Sequence, residues 1–141
     1  MSEAGPVRGI VIAHGGLATG LVDAARAITG ADEDVLRPVS NSGLSPEALA
    51  QRLNTAAGTG PLILFTDLPS GSCGIAARVL ARGRSETAVV CGVNLPMLLD
   101  FLTHRDLPVR ALVPRLLSRA REAILCVPAT WESYGDPADS R

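Results

Sequence analysis

A chain of 141 residues, 47% hydrophobic and only 3% aromatic, is long enough for one domain whose core must be built from Val, Ile, Leu and Ala. A formal net charge of -1 offers no electrostatic surface for nucleic acid, and because all 13 basic residues are Arg, Lys-based catalysis is excluded. Cys73, Cys91 and Cys126 are dispersed, with no C-x-x-C spacing, which disfavours a disulfide framework or a zinc site and fits a reducing cytosol. No signal peptide is legible in the short polar start, and no apolar run reaches the length of a membrane span.

The pattern alternates strand and helix. Residues 8–14 form a first strand, almost wholly apolar, as a buried parallel strand should be. It stops at His14-Gly15-Gly16. A helix over 17–29 follows, with Leu17, Leu21, Ala24, Ala25 and Ile28 at helical spacing and Gly30 as its terminator. Residues 34–39 form a weaker strand, and Asn41-Ser42-Gly43 is turn chemistry. Ser45 then caps a helix that has Pro46 at its first position and runs to Ala57.

A third strand over 61–66 ends at Asp67, and a loop over 68–71 leads into a helix over 72–82. A fourth strand is expected over 86–93. A helix over 94–104 has Asn94 as cap and Pro96 in its first turn. A helix over 107–121 contains Pro114, a possible kink, and its Arg-rich end reads as a solvated face. A short last strand is expected over 123–127, and 130–141 reads as a frayed tail. The expected organisation is a tail over 1–6, one domain over 7–128 and a tail over 129–141.

Strands alternating with helices imply an α/β fold with a mostly parallel sheet and helices on both faces. The loops after the first, third and fourth strands then share one edge, where such folds bind ligands. Two groups on that edge carry chemistry. An imidazole at His14 can be a nucleophile, a base or a metal ligand. A carboxylate at Asp67 would hold its Nδ1–H and leave the Nε2 lone pair free. Ser70-Gly71-Ser72, entering a helix, offers unpaired N–H groups and a positive dipole end. A poised imidazole beside an anion cradle points to a phosphoryl group arriving on Nε2. A metal-dependent hydrolase is disfavoured, because no second His or carboxylate cluster joins His14. His104 reads as a structural group near a helix C-terminus, and Cys73 as an inert thiol.

Three stretches resemble a known family: Ile10-Val11-Ile12-Ala13-His14-Gly15-Gly16-Leu17-Ala18, Phe65-Thr66-Asp67 with Gly71-Ser72, and Val89-Val90-Cys91-Gly92-Val93-Asn94-Leu95-Pro96-Met97-Leu98. Together they resemble the mannose-family IIA domain of the bacterial sugar phosphotransferase system, over about residues 7–127. The resemblance implies a doubly wound sheet whose short C-terminal edge strand can be exchanged between the subunits of a homodimer. It implies that His14 takes a phosphoryl group on Nε2 from the phosphocarrier HPr and passes it to a IIB partner, which serves membrane components IIC and IID. It gives Asp67 the role of orienting the imidazole, and gives Ser72 and nearby backbone groups (Gly15, Ser70 and Gly71) the phosphoryl oxygens. It implies no cofactor and no metal, and a cytoplasmic site of action. The loop over 68–75 departs from the family pattern D-x-x-G-G-S-P-x-N-A: Pro69 stands where the family often has an aromatic, Ser70 for a glycine, Cys73 for the proline and Ile75 for an asparagine. That departure keeps open a regulatory binding module of the same fold. The phosphocarrier subunit of a dihydroxyacetone kinase is a further alternative.

Overall fold

The computed structural model describes residues 5–134. The expected N-terminal tail therefore lies largely outside the described residues, as does the end of the expected C-terminal tail. The elements follow in the order β1 (Arg8–Ala13), α1 (Leu17–Thr29), β2 (Leu36–Ser40), α2 (Pro46–Ala57), β3 (Leu62–Thr66), α3 (Gly71–Arg82), β4 (Thr87–Cys91), α4 (Leu95–Thr103), α5 (Val109–Glu122) and a 3-10 turn (Ala129–Trp131). Every pairing in the sheet is parallel, in the order β2-β1-β3-β4. No helix among the described residues is long and apolar enough to cross a membrane.

The central strands are apolar on both sides because both sides are covered. Val11, Ala13, Ile63 and Phe65 face one core with α1, α4 and α5. Their neighbours in sequence, Ile10, Ile12, Leu62 and Leu64, face a second core with α2 and α3. This is the period-two alternation of a strand read into two hydrophobic layers. The Phe65 and Phe101 rings meet edge-on, 5.3 Å apart at 74°, and anchor the first layer. Pro38 sits in β2, an edge strand, where a missing N–H costs no central ladder bond.

Local signals set the helix ends. Gly30 adopts the left-handed conformation (φ 73) and its N–H reaches Arg26 O. The Ser45 and Asn94 side chains accept from Ala48 N and Met97 N, each at 3.1 Å, so both caps form. Pro114 lies inside α5 without ending it.

Two expectations are corrected. First, residues 123–127 form no strand: they pair with no other strand among the described residues. After α5 the Ala123 N–H bonds back to Arg119 O, and Ile124, Leu125 and Val127 are 74%, 65% and 87% exposed. A strand is defined by its ladder, and here the ladder has no partner. Second, the Arg-rich end of α5 is more than a solvated face. Arg115 grips the Asp100 carboxylate of α4 with two bonds, 2.9 and 3.1 Å, and Arg119 approaches it at 3.9 Å. His104 joins from the end of α4, its Nδ1 2.9 Å from Asp100 O, which bears out its structural reading. The 3-10 turn Ala129–Trp131 overlaps the start of the tail expected over 130–141, whose end lies outside the described residues.

Gly9 shows how closely the first layer packs. A Cβ there would lie 2.9 Å from both Leu36 Cδ1 and Phe101 Cε2. Gly9→Ala is expected to lower unfolding stability by about 1–3 kcal/mol, because both neighbours are fully buried in the packed layer. Urea titration at equilibrium measures this; an unchanged midpoint would show that the layer is looser than the contacts say.

Candidate functional site

β1 and β3 are adjacent, but the chain leaves them in opposite directions, to β2 and to β4. The crevice between their carboxyl ends is the switch point of the sheet, where open α/β folds place their sites. Register brings the two chemical groups together there. Ile12 is level with Thr66, so His14 and Asp67 leave neighbouring strands side by side. The Asp67 Oδ2 atom accepts two bonds from His14: the backbone N–H at 3.0 Å and the ring Nδ1–H at 2.8 Å. Its Oδ1 accepts from Leu68 N at 3.0 Å. The ionised carboxylate can only accept, so the ring proton sits on Nδ1 and Nε2 keeps its lone pair. Burial pushes the Asp67 carboxyl up, but the bonds from the His14 backbone, the His14 ring and Leu68 outweigh it and hold the group below its ordinary value.

The remaining predicted residues take distinct places. Gly71 adopts φ 88, and a Cβ on it would lie 3.7 Å from His14 Nε2 and Cε1. Its bare backbone therefore lines the approach to the free ring nitrogen. α3 begins at Gly71, one residue before the expected start, so Ser70 is the N-cap and Ser72 is the second helical residue. No side chain caps α3, which leaves the first-turn N–H groups open to an anion. Ser70 contributes extended backbone (φ -119) and no capping bond. Gly15 turns the chain with φ 58.

Sequence reasoning passed over the loop after β2. Ser40 Oγ donates to Gly15 O at 2.8 Å, and Asn41 Nδ2 donates to Ser72 Oγ at 3.1 Å. The signal was available: in a parallel sheet the loop after the second strand shares the edge of the other three. The Gly92–Leu98 stretch, by contrast, is framework. Gly92 N and Val93 N both donate to Thr66 O, at 2.9 and 3.0 Å, and Asn94 Nδ2 donates to Ala120 O at 3.1 Å.

His14, Asp67 and Cys73 carry ligand-type atoms within 4.8 Å of one another. Both oxygens of Asp67 are already engaged, and the Cys73 thiol is buried. Burial and the Asp67 charge push that thiol up, partly offset by the Ser72 hydroxyl beside it. A protonated thiol and a carboxylate with three of its four acceptor sites taken make a poor donor set for an ion and a good one for orienting an imidazole.

The imidazole side chain is 42% exposed, while Asp67 behind it is 11% exposed. A cavity of about 760 Å³ beside β2, lined by Arg26, Arg37, Arg52 and neighbours, does not include His14. The free ring nitrogen is thus presented on an open surface, backed by a half-buried carboxylate and flanked by a helix N-terminus. Such a group can attack an electrophile carried by another macromolecule, and the flanking donors can hold the anion that results.

Gly74 fixes the distance between α3 and the loop carrying Asp67. A Cβ at this position would meet Pro69 O at 2.9 Å and Leu68 O at 3.3 Å, both backbone atoms. Gly74→Ala is expected to cost about 1–3 kcal/mol of stability and to shift the amide resonances of residues 67–72. Denaturant unfolding with an amide correlation spectrum checks both; an unperturbed loop would mean that α3 yields instead.

A family model described as PTS system fructose IIA component matches residues 9–112. No curated protein is matched. The phosphotransferase system component EIIA from Streptococcus agalactiae has a TM-score of 0.80 at 22% identity, covering 86% of this chain and 98% of that one. The mannose/sorbose specific IIA subunit from Enterococcus faecalis has a TM-score of 0.75 at 20% identity, covering 86% and 95%. A sigma-54 interaction domain protein, also from Enterococcus faecalis, has a TM-score of 0.72 at 14% identity, covering 93% and 100%. At these identities the likeness to each structure is one of fold.

Proposed function

Because the chain belongs to the EIIA-man family, the fructose IIA components of the phosphotransferase system, we propose that it is a phosphocarrier that works through His14. The observation that carries this reading is the shared Asp67 oxygen, which holds the ring proton on Nδ1 and leaves Nε2 exposed as the nucleophile. In the first step the Nε2 lone pair attacks the phosphorus carried by phospho-HPr. An N–P bond forms on His14, and the bond to the donor atom breaks with its electron pair returning to HPr. The Nδ1–H stays in place, and the positive charge that develops on the ring is balanced by Asp67. The Gly71 backbone, the open N–H groups of the first turn of α3, and the Ser72 hydroxyl receive the phosphoryl oxygens, with Ser70 and Gly15 completing the rim. The second step is the same displacement in reverse sense, with a IIB protein as acceptor and IIC and IID beyond it at the membrane. No metal or cofactor enters the scheme, and the cytoplasm is its place of action.

We assign the exposed apolar segment 123–127 to exchange with a second copy, where it would add to the free edge of β4. Light scattering on the full chain would show a dimer under this reading and a monomer against it.

The test of function is intact-protein mass spectrometry after incubation with phosphoenolpyruvate, enzyme I and HPr. Gain of one acid-labile phosphoryl group is the expected result; a folded protein that gains none overturns the reading. The second reading, a regulatory module of the same fold, draws on the altered 68–75 loop and on the fold likeness to the sigma-54 interaction domain protein. It predicts phosphorylation without onward transfer to any IIB protein.

A further inference from the structure

The loop after β2 is tied to the site twice, and its second tie ends on the hydroxyl that would receive a phosphoryl oxygen. Asn41 is fixed by its own backbone: its N–H donates to Ala13 O at 3.3 Å, and its carbonyl accepts from Leu44 N at 3.1 Å. Ser40 next to it donates to Gly15 O at 2.8 Å and accepts from Ser42 N at 3.1 Å, which braces the turn after His14. From this fixed base the Asn41 amide donates to Ser72 Oγ at 3.1 Å.

The polarity of that bond matters. A serine hydroxyl has one proton and two lone pairs. With one lone pair occupied by the Asn41 N–H, the hydroxyl proton must point elsewhere. The Cys73 thiol beside it is only a weak acceptor. A phosphoryl oxygen on His14 Nε2 would be a far stronger one. We propose that Asn41 is a positioning residue of the phosphoryl site: its amide fixes the Ser72 hydroxyl so that the proton is directed at the transferred group. This rests on the phosphocarrier reading above. Asn41 itself touches no reacting atom and acts through Ser72.

A double-mutant cycle tests this on the full chain, with single-turnover phosphorylation by phospho-HPr as the readout for the unaltered protein, Asn41→Ala, Ser72→Ala and the double variant. Asn41→Ala is expected to slow phosphoryl uptake about tenfold, the worth of one well-placed hydrogen bond. The double variant is expected to be no slower than Ser72→Ala alone, because without the hydroxyl there is nothing left to position. A role confined to loop structure would slow the Ser72→Ala background by the same factor again, and that result overturns the proposal. So does an Asn41→Ala protein that reacts at the unaltered rate. Thermal midpoints within a few degrees of one another establish that all four proteins are folded. If the unaltered chain takes no phosphoryl group, the phosphocarrier reading itself falls and the role of Asn41 with it; if it does and the cycle is additive, only the role of Asn41 falls.

Discussion

His14→Ala is expected to abolish phosphoryl uptake from phospho-HPr while leaving the protein folded. No other group at the crevice can replace the nucleophile. The Ser72 hydroxyl is bonded by the Asn41 amide, which is no base, Cys73 is buried with its thiol pushed up, and His104 is engaged with Asp100 on α4. The structural cost is small because the imidazole is 42% exposed and packs against no core layer. Its loss removes one side-chain bond to Asp67, about 1 kcal/mol, and Asp67 keeps its bonds from the His14 and Leu68 backbones. Mass spectrometry should therefore show no phosphoryl gain in a protein whose thermal midpoint has moved by only a few degrees. Phosphorylation that survives the substitution would place the nucleophile elsewhere and dismantle the proposed mechanism.

Asp67→Asn should have the second largest effect. An amide can turn its NH2 toward Nδ1, and the imidazole then moves its proton to Nε2 and loses the lone pair that attacks. The developing ring charge is also left without a counter-charge. Where a carboxylate orients a catalytic imidazole, the same change has cost up to about 10⁴-fold in rate; here a loss of about 10²- to 10⁴-fold is expected in single-turnover uptake. A loss under threefold would mean that Asp67 does not set the tautomer.

The same residue predicts a pH dependence. The Asp67 pKa is lower in the folded chain than its ordinary value near 3.8, so the folded state binds its proton less readily than the unfolded chain does. Its contribution to stability is complete above the unfolded pKa and is lost as pH falls through the lower, folded one. The difference in thermal midpoint between the unaltered protein and Asp67→Asn should be constant near neutrality and shrink below about pH 4. A difference that persists at low pH would show that the carboxylate bonds add nothing to the fold.

Much of this molecule was legible along the chain because the relevant physics is local. Continuous apolar runs over β1 and β3 could only be strands covered on both faces. Gly30, Ser45 and Asn94 ended or opened helices through bonds to groups three or four residues away. A histidine closing one such strand and an aspartate closing another were enough to nominate the site. The resemblance of three stretches to the mannose-family IIA domain then named the chemistry to expect.

What stayed hidden depended on residues far apart in sequence. The Asp67 carboxylate was expected to hold the His14 ring, but the strand order β2-β1-β3-β4 and its register, which no local rule gives, set the geometry of that contact across 53 positions. Asn41 looked like turn chemistry until the fold set it beside Ser72, 31 positions away. The Arg-rich face of α5 read as solvated until α4 supplied Asp100. Residues 123–127 have the composition of a strand but lack a ladder partner among the described residues. The sequence by itself determined the alternation of strands and helices, most of their approximate ends, and which side chains are candidates for chemistry, since propensity, capping and hydrophobic period act within a few residues. Only the tertiary structure decided which of those side chains meet, because a hydrogen bond across the sheet edge is fixed by strand register and packing rather than by neighbours in the chain.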